Sequence, residues 1–274
     1  MKSLPKSHTV VFTDLDGTLL DLLNQSPIPA LPALSQLHEQ SIPVIFCSAK
    51  TRAEQEAIRE DLGITDPFIV ENGGAIFIPR AYFSFSFAFQ KTLGEYRVIE
   101  LGIPYHEIRN VVDQIRRDLD VRFEGFGDLS PAEIAGKTGL DPESARRAAA
   151  REYDETLFLH ELTQRDCQQV LTAIEDSGMR WTHGGRFYHI MGANDKGRAA
   201  ILLTELYERQ WNQVRTVGLG DSLNDSELLA VMDLPILVEK HQGGWEDITL
   251  PNVQKVRGRG PVGWQRAIEQ YVLH

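Results

Sequence analysis

Five short apolar runs constrain the fold of this chain more than any other feature. They are residues 9–12 (Thr-Val-Val-Phe), 42–47, 68–70, 214–219 and 235–238. Runs this short, rich in β-branched residues and bounded by small or acidic ones, read as strands buried on both faces. Helical spacing fills much of the intervening chain. Leu31, Leu34 and Leu37 share one face; Thr51, with Glu54 three residues on, opens a helix through Leu62; residues 195–209, 222–232 and 263–272 read the same way. Strands alternating with helices in this manner predict a parallel α/β sheet.

The pattern breaks between residues 81 and 185. Residues 82–90 are aromatic and Ser-rich, and residues 105–119 place Ile108, Val111, Val112, Ile115 and Leu119 on one helical face. Ser130-Pro131-Ala132-Glu133 and Asp141-Pro142 are further helix starts. Strands are expected at 156–159 and 187–190, around a helix at 164–177. The reading is therefore a core made of 1–80 plus 186–274, interrupted by an α+β insert at 81–185.

Bulk properties exclude several classes. A formal net charge of -11 disfavours nucleic acid or an anionic membrane surface as the main partner, since both call for a basic field. Two cysteines, Cys47 and Cys167, are too few for a disulfide framework and suit a reducing, cytoplasmic setting. No signal peptide and no stretch of about 18 apolar residues is apparent. A soluble monomer or homodimer is expected.

Two strand ends carry clustered acids. Asp14-Leu15-Asp16-Gly17-Thr18 follows the first run, and Gly220-Asp221-Ser222-Leu223-Asn224-Asp225 follows the fourth. In an open α/β sheet, ligands bind at the carboxyl ends of strands. Asp14 and Asp16, two apart, could approach one site if the extended path persists; Asp221 and Asp225 lie about one helical turn apart. Oxygen-only ligands suit a hard cation such as Mg²⁺. Each cluster read alone could equally be an acidic turn that caps a helix. Ser48, after the second run, and Lys196, at a helix start, offer a hydroxyl and a cation for phosphate oxygens. Alone, the first could be an ordinary turn residue and the second a solvated one.

In this order and context, the four segments resemble those of the haloacid dehalogenase (HAD) superfamily of phosphatases. The resemblance implies a Rossmann-like parallel-sheet core with an inserted α+β cap domain of the C2 type. It implies that Asp14 is the nucleophile and Asp16 the general acid and base. Asp14, the backbone carbonyl of Asp16, and Asp221 would hold Mg²⁺, with Asp225 supporting them. Ser48, Lys196 and Asn224 would bind the phosphoryl group.

Within the superfamily, the chain is similar to the mannosyl-3-phosphoglycerate phosphatase branch. The segments carrying this likeness are Phe46-Cys47-Ser48-Ala49-Lys50-Thr51-Arg52-Ala53-Glu54, residues 67–75, Arg151-Glu152-Tyr153-Asp154-Glu155 and residues 180–189. The expected substrate is a small anionic phosphorylated sugar acid, mannosyl or glucosyl. Lys50, Arg52, Arg151, Arg180 and Arg186 are candidates for its anions, because cationic side chains, and Arg above all, pair with carboxylates. Glu71, Asn72, Glu152 and His183 are candidates for its hydroxyls, with Thr51 and Gly73 beside them. Residues 151–154 could instead be a solvated charged stretch, and His183 could simply sit in a turn. A sugar-phosphate phosphatase of the Cof type and a phosphohexomutase-like phosphotransferase are the alternative activities.

Overall fold

The computed structural model describes residues 8–184 and 187–273. In chain order, the first half holds strands β1 (His8–Thr13), β2 (Val44–Cys47), β3 (Phe68–Val70), β4 (Ala75–Pro79), β5 (Lys91–Leu93) and β6 (Tyr96–Glu100), with helices α1 (Leu31–Glu39) and α2 (Arg52–Leu62). Next come α3 (Tyr105–Leu119), α4 (Pro131–Thr138), α5 (Pro142–Ala148), β7 (Asp154–Leu157), α6 (Gln164–Asp176), β8 (Arg180–Gly184) and β9 (Phe187–Met191). The chain closes with α7 (Lys196–Trp211), β10 (Val214–Gly220), α8 (Ser226–Ala230), β11 (Leu234–Glu239), β12 (Gln254–Arg259) and α9 (Pro261–Tyr271).

Nine strands form one sheet in the order β12-β11-β10-β1-β2-β3-β4-β6-β5. From β12 to β3 the pairing is parallel; β4, β6 and β5 continue it antiparallel. The central strands are apolar on both faces because helices cover both. One layer packs Val11, Phe46, Val217 and Trp264. The other packs Val10, Phe12, Ile45, Leu203 and Tyr207. Strand β1 lies between β10 and β2, the point where the connections diverge and where such sheets open a crevice for ligands.

A second sheet, β7-β9-β8, is antiparallel. Ile108, Val112 and Ile115 of α3 and Val170 and Ile174 of α6 pack with its Leu157 and Ile190. A smaller cluster gathers Phe126, Ile134, Ala145 and Phe158.

The boundaries read at 81 and 185 do not follow the sheets. Strands β5 and β6 belong to the large sheet, where Phe77 pairs with Val98. The aromatic segment packs there too, with Phe83 buried against Tyr207 of α7 and Arg209 over the Phe85 ring. In the other direction, β9 pairs with β7 and β8 rather than with the large sheet. The change of composition at 81 marks an extension of the core sheet, because the aromatic residues find their apolar cover on α7.

Candidate active site

The site forms at the carboxyl edge of β1, and its backbone is set by sheet register. Thr13 stands opposite Leu219 of β10 and Phe46 of β2, so Asp14, Gly220 and Ser48 emerge from one edge. The Asp14 N–H donates to the Leu219 carbonyl at 2.9 Å. At Gly17 the chain turns back with φ of +83°, a left-handed conformation that glycine adopts without strain. A Cβ there would lie 2.6 Å from Oδ2 of Asp221, so only a residue without one lets the two acidic loops meet. Thr18 reinforces the junction by donating its hydroxyl to Asp221 Oδ1 at 3.3 Å.

The first turn of α7 delivers Lys196. Asp195 caps this helix, accepting from the Arg198 N–H at 2.7 Å. Gly73, with φ of +85°, has no Cβ to strike the Asp195 carbonyl, which would otherwise be 2.1 Å away. The helix start therefore comes down on the loop after β3, and the Lys196 side chain, only 1% exposed, reaches the edge of β1. Its Nζ donates to Asp14 Oδ1 and to Asp225 Oδ1, each at 2.7 Å. The other Asp225 oxygen accepts from the N–H groups of Asp221 and Ser222 at 3.0 and 3.1 Å, which fixes the second loop.

Asp14, Asp221 and Asp225 are all buried and offer oxygens within 4.8 Å of one another. Burial, then the Asp225 and Asp16 charges, push the Asp14 carboxyl up to about 7 against the pull of Lys196. Burial followed by Asp225 and Asp14 raises Asp221 well above the carboxylate range. Lys196 is raised as well: burial opposes its charge, but Asp14 and Asp225 overcome that. With all three ionised, the carboxylates would exceed the one ammonium by two negative charges, which is what one divalent cation would balance. An all-oxygen donor set of this kind fits a hard ion such as Mg²⁺.

Asp16 stands apart from that cluster. Its side chain is 37% exposed, and Oδ1 meets Nζ of Lys50 at 3.0 Å. Lys50 also approaches Glu54 at 3.6 Å. Its ammonium is raised because Asp16 and Glu54 together outweigh its burial. The carboxylate of Asp16 is thus not brought to the three-acid cluster, which corrects the expectation that two alternate strand residues would share one site. The strand ends at Thr13, and Asp16 lies in the turn that follows, bridged to Leu20. Ser48 is buried, and its Oγ accepts from the Lys50 N–H at 3.3 Å. Asn224 accepts from Ser222 Oγ at 2.6 Å and lies under the tip of β8, where a Cβ on Gly184 would be 3.0 Å from its amide nitrogen. The small sheet therefore overhangs the second acidic loop.

Of the residues expected at the sugar acid, several are occupied with one another. Arg151 is buried and pairs with Asp154 and Glu71, so the solvated-stretch reading does not hold for it. Glu71 accepts the N–H groups of Glu152, Tyr153 and Asp154. The amide of Asn72 donates to Asp154 at 3.0 Å. Glu152 bonds Arg52 at 2.9 Å, and Thr51 donates to the Arg147 carbonyl at 2.8 Å. Arg180 is half-exposed and pairs with Asp195 and Glu227. His183 is no turn residue: it lies in β8, its ring 4.6 Å from that of Tyr188, and burial lowers its imidazole. Arg186 lies outside the described residues.

Sequence reasoning missed Thr13, Thr18 and Trp264. Thr18 was within reach, as the last residue of the first acidic motif. Thr13 donates to the Asp14 carbonyl at 2.7 Å and accepts from the Trp264 indole at 3.0 Å, a contact across 251 positions that no local pattern announces.

Comparison with known proteins agrees with this architecture. Residues 11–95 match the model of a haloacid dehalogenase-like hydrolase family. A glucosyl-3-phosphoglycerate/mannosyl-3-phosphoglycerate phosphatase of Methanococcoides burtonii is 46% identical over 260 residues, covering 94% of this chain and 95% of that protein. A mannosyl-3-phosphoglycerate phosphatase of Pyrococcus horikoshii is 38% identical over 84% of this chain and 90% of its own length. Among solved structures, a HAD subclass IIB sugar phosphatase superposes with a TM-score of 0.65 at 17% identity, covering 97% of this chain and all of that one. A haloacid dehalogenase-like hydrolase from B. subtilis gives 0.67 at 16%, covering 96% and 99%. With identity this high along nearly its whole length, the chain belongs to the family of these glycosyl-3-phosphoglycerate phosphatases, within the haloacid dehalogenase-like hydrolases.

Proposed function

We propose that the chain hydrolyses the phosphate ester of glucosyl- or mannosyl-3-phosphoglycerate, through an aspartyl-phosphate on Asp14. The observation that carries the reading is the position of Lys196, 2.7 Å from Asp14 and from Asp225, in a buried cluster with Asp221. The sugar acid itself is the substrate named for the relatives at 46% and 38% identity.

An oxygen of Asp14 attacks phosphorus while the bond to the sugar-acid oxygen breaks. Asp16, at the exposed mouth of the site, takes up a proton in place of its ion pair with Lys50 and gives that proton to the leaving oxygen. It then takes a proton from the water that attacks the aspartyl-phosphate and frees inorganic phosphate. Splitting one displacement into two lowers the barrier to each. The transferring group needs charge stabilisation more than covalent help, and Lys196 supplies it as a fixed cation. The Ser48 hydroxyl donates to a phosphoryl oxygen, and the Asn224 amide, at the second acidic loop, donates to another. Asp14, Asp221 and the Asp16 carbonyl would hold Mg²⁺, with Asp225 bracing the loop. When bound, the ion offsets the acidic cluster and the charge of the phosphoryl oxygens.

Phosphate release from a panel of esters tests the reading. Both glycosyl-3-phosphoglycerates should exceed simple hexose phosphates in kcat/KM, with one phosphate freed per ester consumed. Preference for a hexose phosphate would overturn the substrate, and transfer without phosphate release would overturn the hydrolysis.

A further inference from the structure

The insert is joined to the core by more than its two chain crossings. Residues 147–154, which lead from α5 into β7, lie on the core loops after β2 and β3. Thr51 Oγ1 donates to the Arg147 carbonyl, and Arg52 Nε bonds Glu152 at 2.9 Å. The Glu71 carboxylate takes three consecutive N–H groups, those of Glu152, Tyr153 and Asp154, at 2.7 to 3.0 Å. Glu71 and Asn72 both hold left-handed backbone conformations, φ of 46° and 53°, although neither is glycine. Such conformations persist only where the surroundings over-determine them.

Arg151 is the centre of this joint. Its side chain is 3% exposed. One guanidinium nitrogen pairs with Asp154 and also donates to the Ala49 carbonyl at 2.9 Å. A second, Nε, donates to the Asp154 carbonyl at 3.2 Å and lies 3.8 Å from Glu71. Ala49 is flanked by Ser48 and Lys50, so the guanidinium grips the backbone of the loop that carries both. Nε and Nη2 are thus engaged inside the joint, by Ala49 and Asp154.

We propose that Arg151 is a positioning residue: from the insert, it fixes the Ser48–Lys50 loop of the core through the Ala49 carbonyl. The proposal rests on the reading of Ser48 as a phosphoryl ligand. A misplacement of that loop then costs activity on every phosphate ester alike, whereas loss of a sugar-acid ligand costs activity on the sugar acid alone. Small displacements of such groups cost about 100-fold per ångström.

The test compares two substrates, glucosyl-3-phosphoglycerate and p-nitrophenyl phosphate, which has neither sugar nor carboxylate. Arg151→Lys keeps a positive charge between Glu71 and Asp154, but one ammonium cannot replace both the Nη2 contacts and the Nε bond to the Asp154 carbonyl that braces them. Its kcat should fall by up to about 100-fold on both esters in the same proportion, with little change in KM. Arg52→Gln cuts the neighbouring tie to Glu152 at the surface, leaves no buried charge unpaired, and should give the same parallel loss at smaller amplitude. A raised KM confined to glucosyl-3-phosphoglycerate, with p-nitrophenyl phosphate turnover intact, would make Arg151 a substrate ligand and overturn the proposal. So would unchanged kcat on both esters in either folded variant. A wild-type protein without phosphatase activity would instead sink the underlying function.

Discussion

Asp16 and Lys50 face each other at 3.0 Å, two residues beyond the acid that opens the site. The pairing separates two carboxylates that sequence spacing had placed together. Asp14 turns inward to Lys196 and Asp16 outward to Lys50, so one motif places one carboxylate in the buried cluster and the other at its exposed rim.

Replacing the nucleophile tests the division directly. Asp14→Asn should lower phosphate release by on the order of 10⁴-fold or more, because an amide is a poor nucleophile. The variant should still bind the glycosylglycerate product, measured by calorimetry. Activity within tenfold of the parent would reject the covalent route.

Removing the cation that Asp14 and Asp225 share should destabilise the fold. Lys196→Met leaves two buried carboxylates without their ammonium, and breaking a buried pair costs about 3–5 kcal/mol. Urea unfolding in the presence of a chelator would show the loss. An unchanged midpoint would mean the two acids are neutral in the folded protein.

Divalent metal should act in the opposite sense. Chelation should abolish turnover and Mg²⁺ should restore it. At a metal concentration 100 times the dissociation constant, linkage adds about 2.7 kcal/mol of stability. A melting temperature indifferent to Mg²⁺ would count against Asp14 and Asp221 as its ligands.

Gly17→Ala probes the meeting of the two acidic loops. The added methyl falls 2.6 Å from Asp221 Oδ2, and the left-handed conformation itself costs about 1–2 kcal/mol. The variant should need more Mg²⁺ for half-maximal activity than the parent does. Equal metal dependence would show that the loops separate freely.

Acid should loosen the insert through Asp128. Burial opposes ionisation of this carboxyl, but hydrogen bonds from Arg116 and Arg109 prevail and hold it at about 2, below its ordinary 3.8. A depressed value means the folded state favours the ionised form. That contribution is complete above pH 3.8 and lost as pH falls toward 2. Asp128→Asn should therefore lower the urea midpoint at pH 7 and matter little at pH 2. An equal deficit at both would show that shape, not charge, explains the loss.

What the sequence disclosed was local. Thr51 and Glu54 announced α2, and the structure completes their reciprocal cap; the apolar runs announced β1, β2, β3, β10 and β11. The acidic motifs were visible because strand ends in such sheets lie along one edge. Residues whose partners lie far along the chain were not legible. Phe83 looked like the start of an insert because its cover, Tyr207, comes 124 positions later. Arg151 and Glu71 looked like ligands because a charge in sequence carries no sign of burial. Strand β12, with Lys255 and Arg257 alternating around Val256, was not picked out at all, because an edge strand needs little apolar pattern.

The contact between Trp264 and Thr13 has a bearing on biosynthesis. Strand β1 gains one flank early, from β2, but its other flank, β10, and the α9 indole that props its final residue come far later in the chain. A nascent chain stalled before Trp264 would therefore carry Asp14 beside a Thr13 that lacks its indole partner.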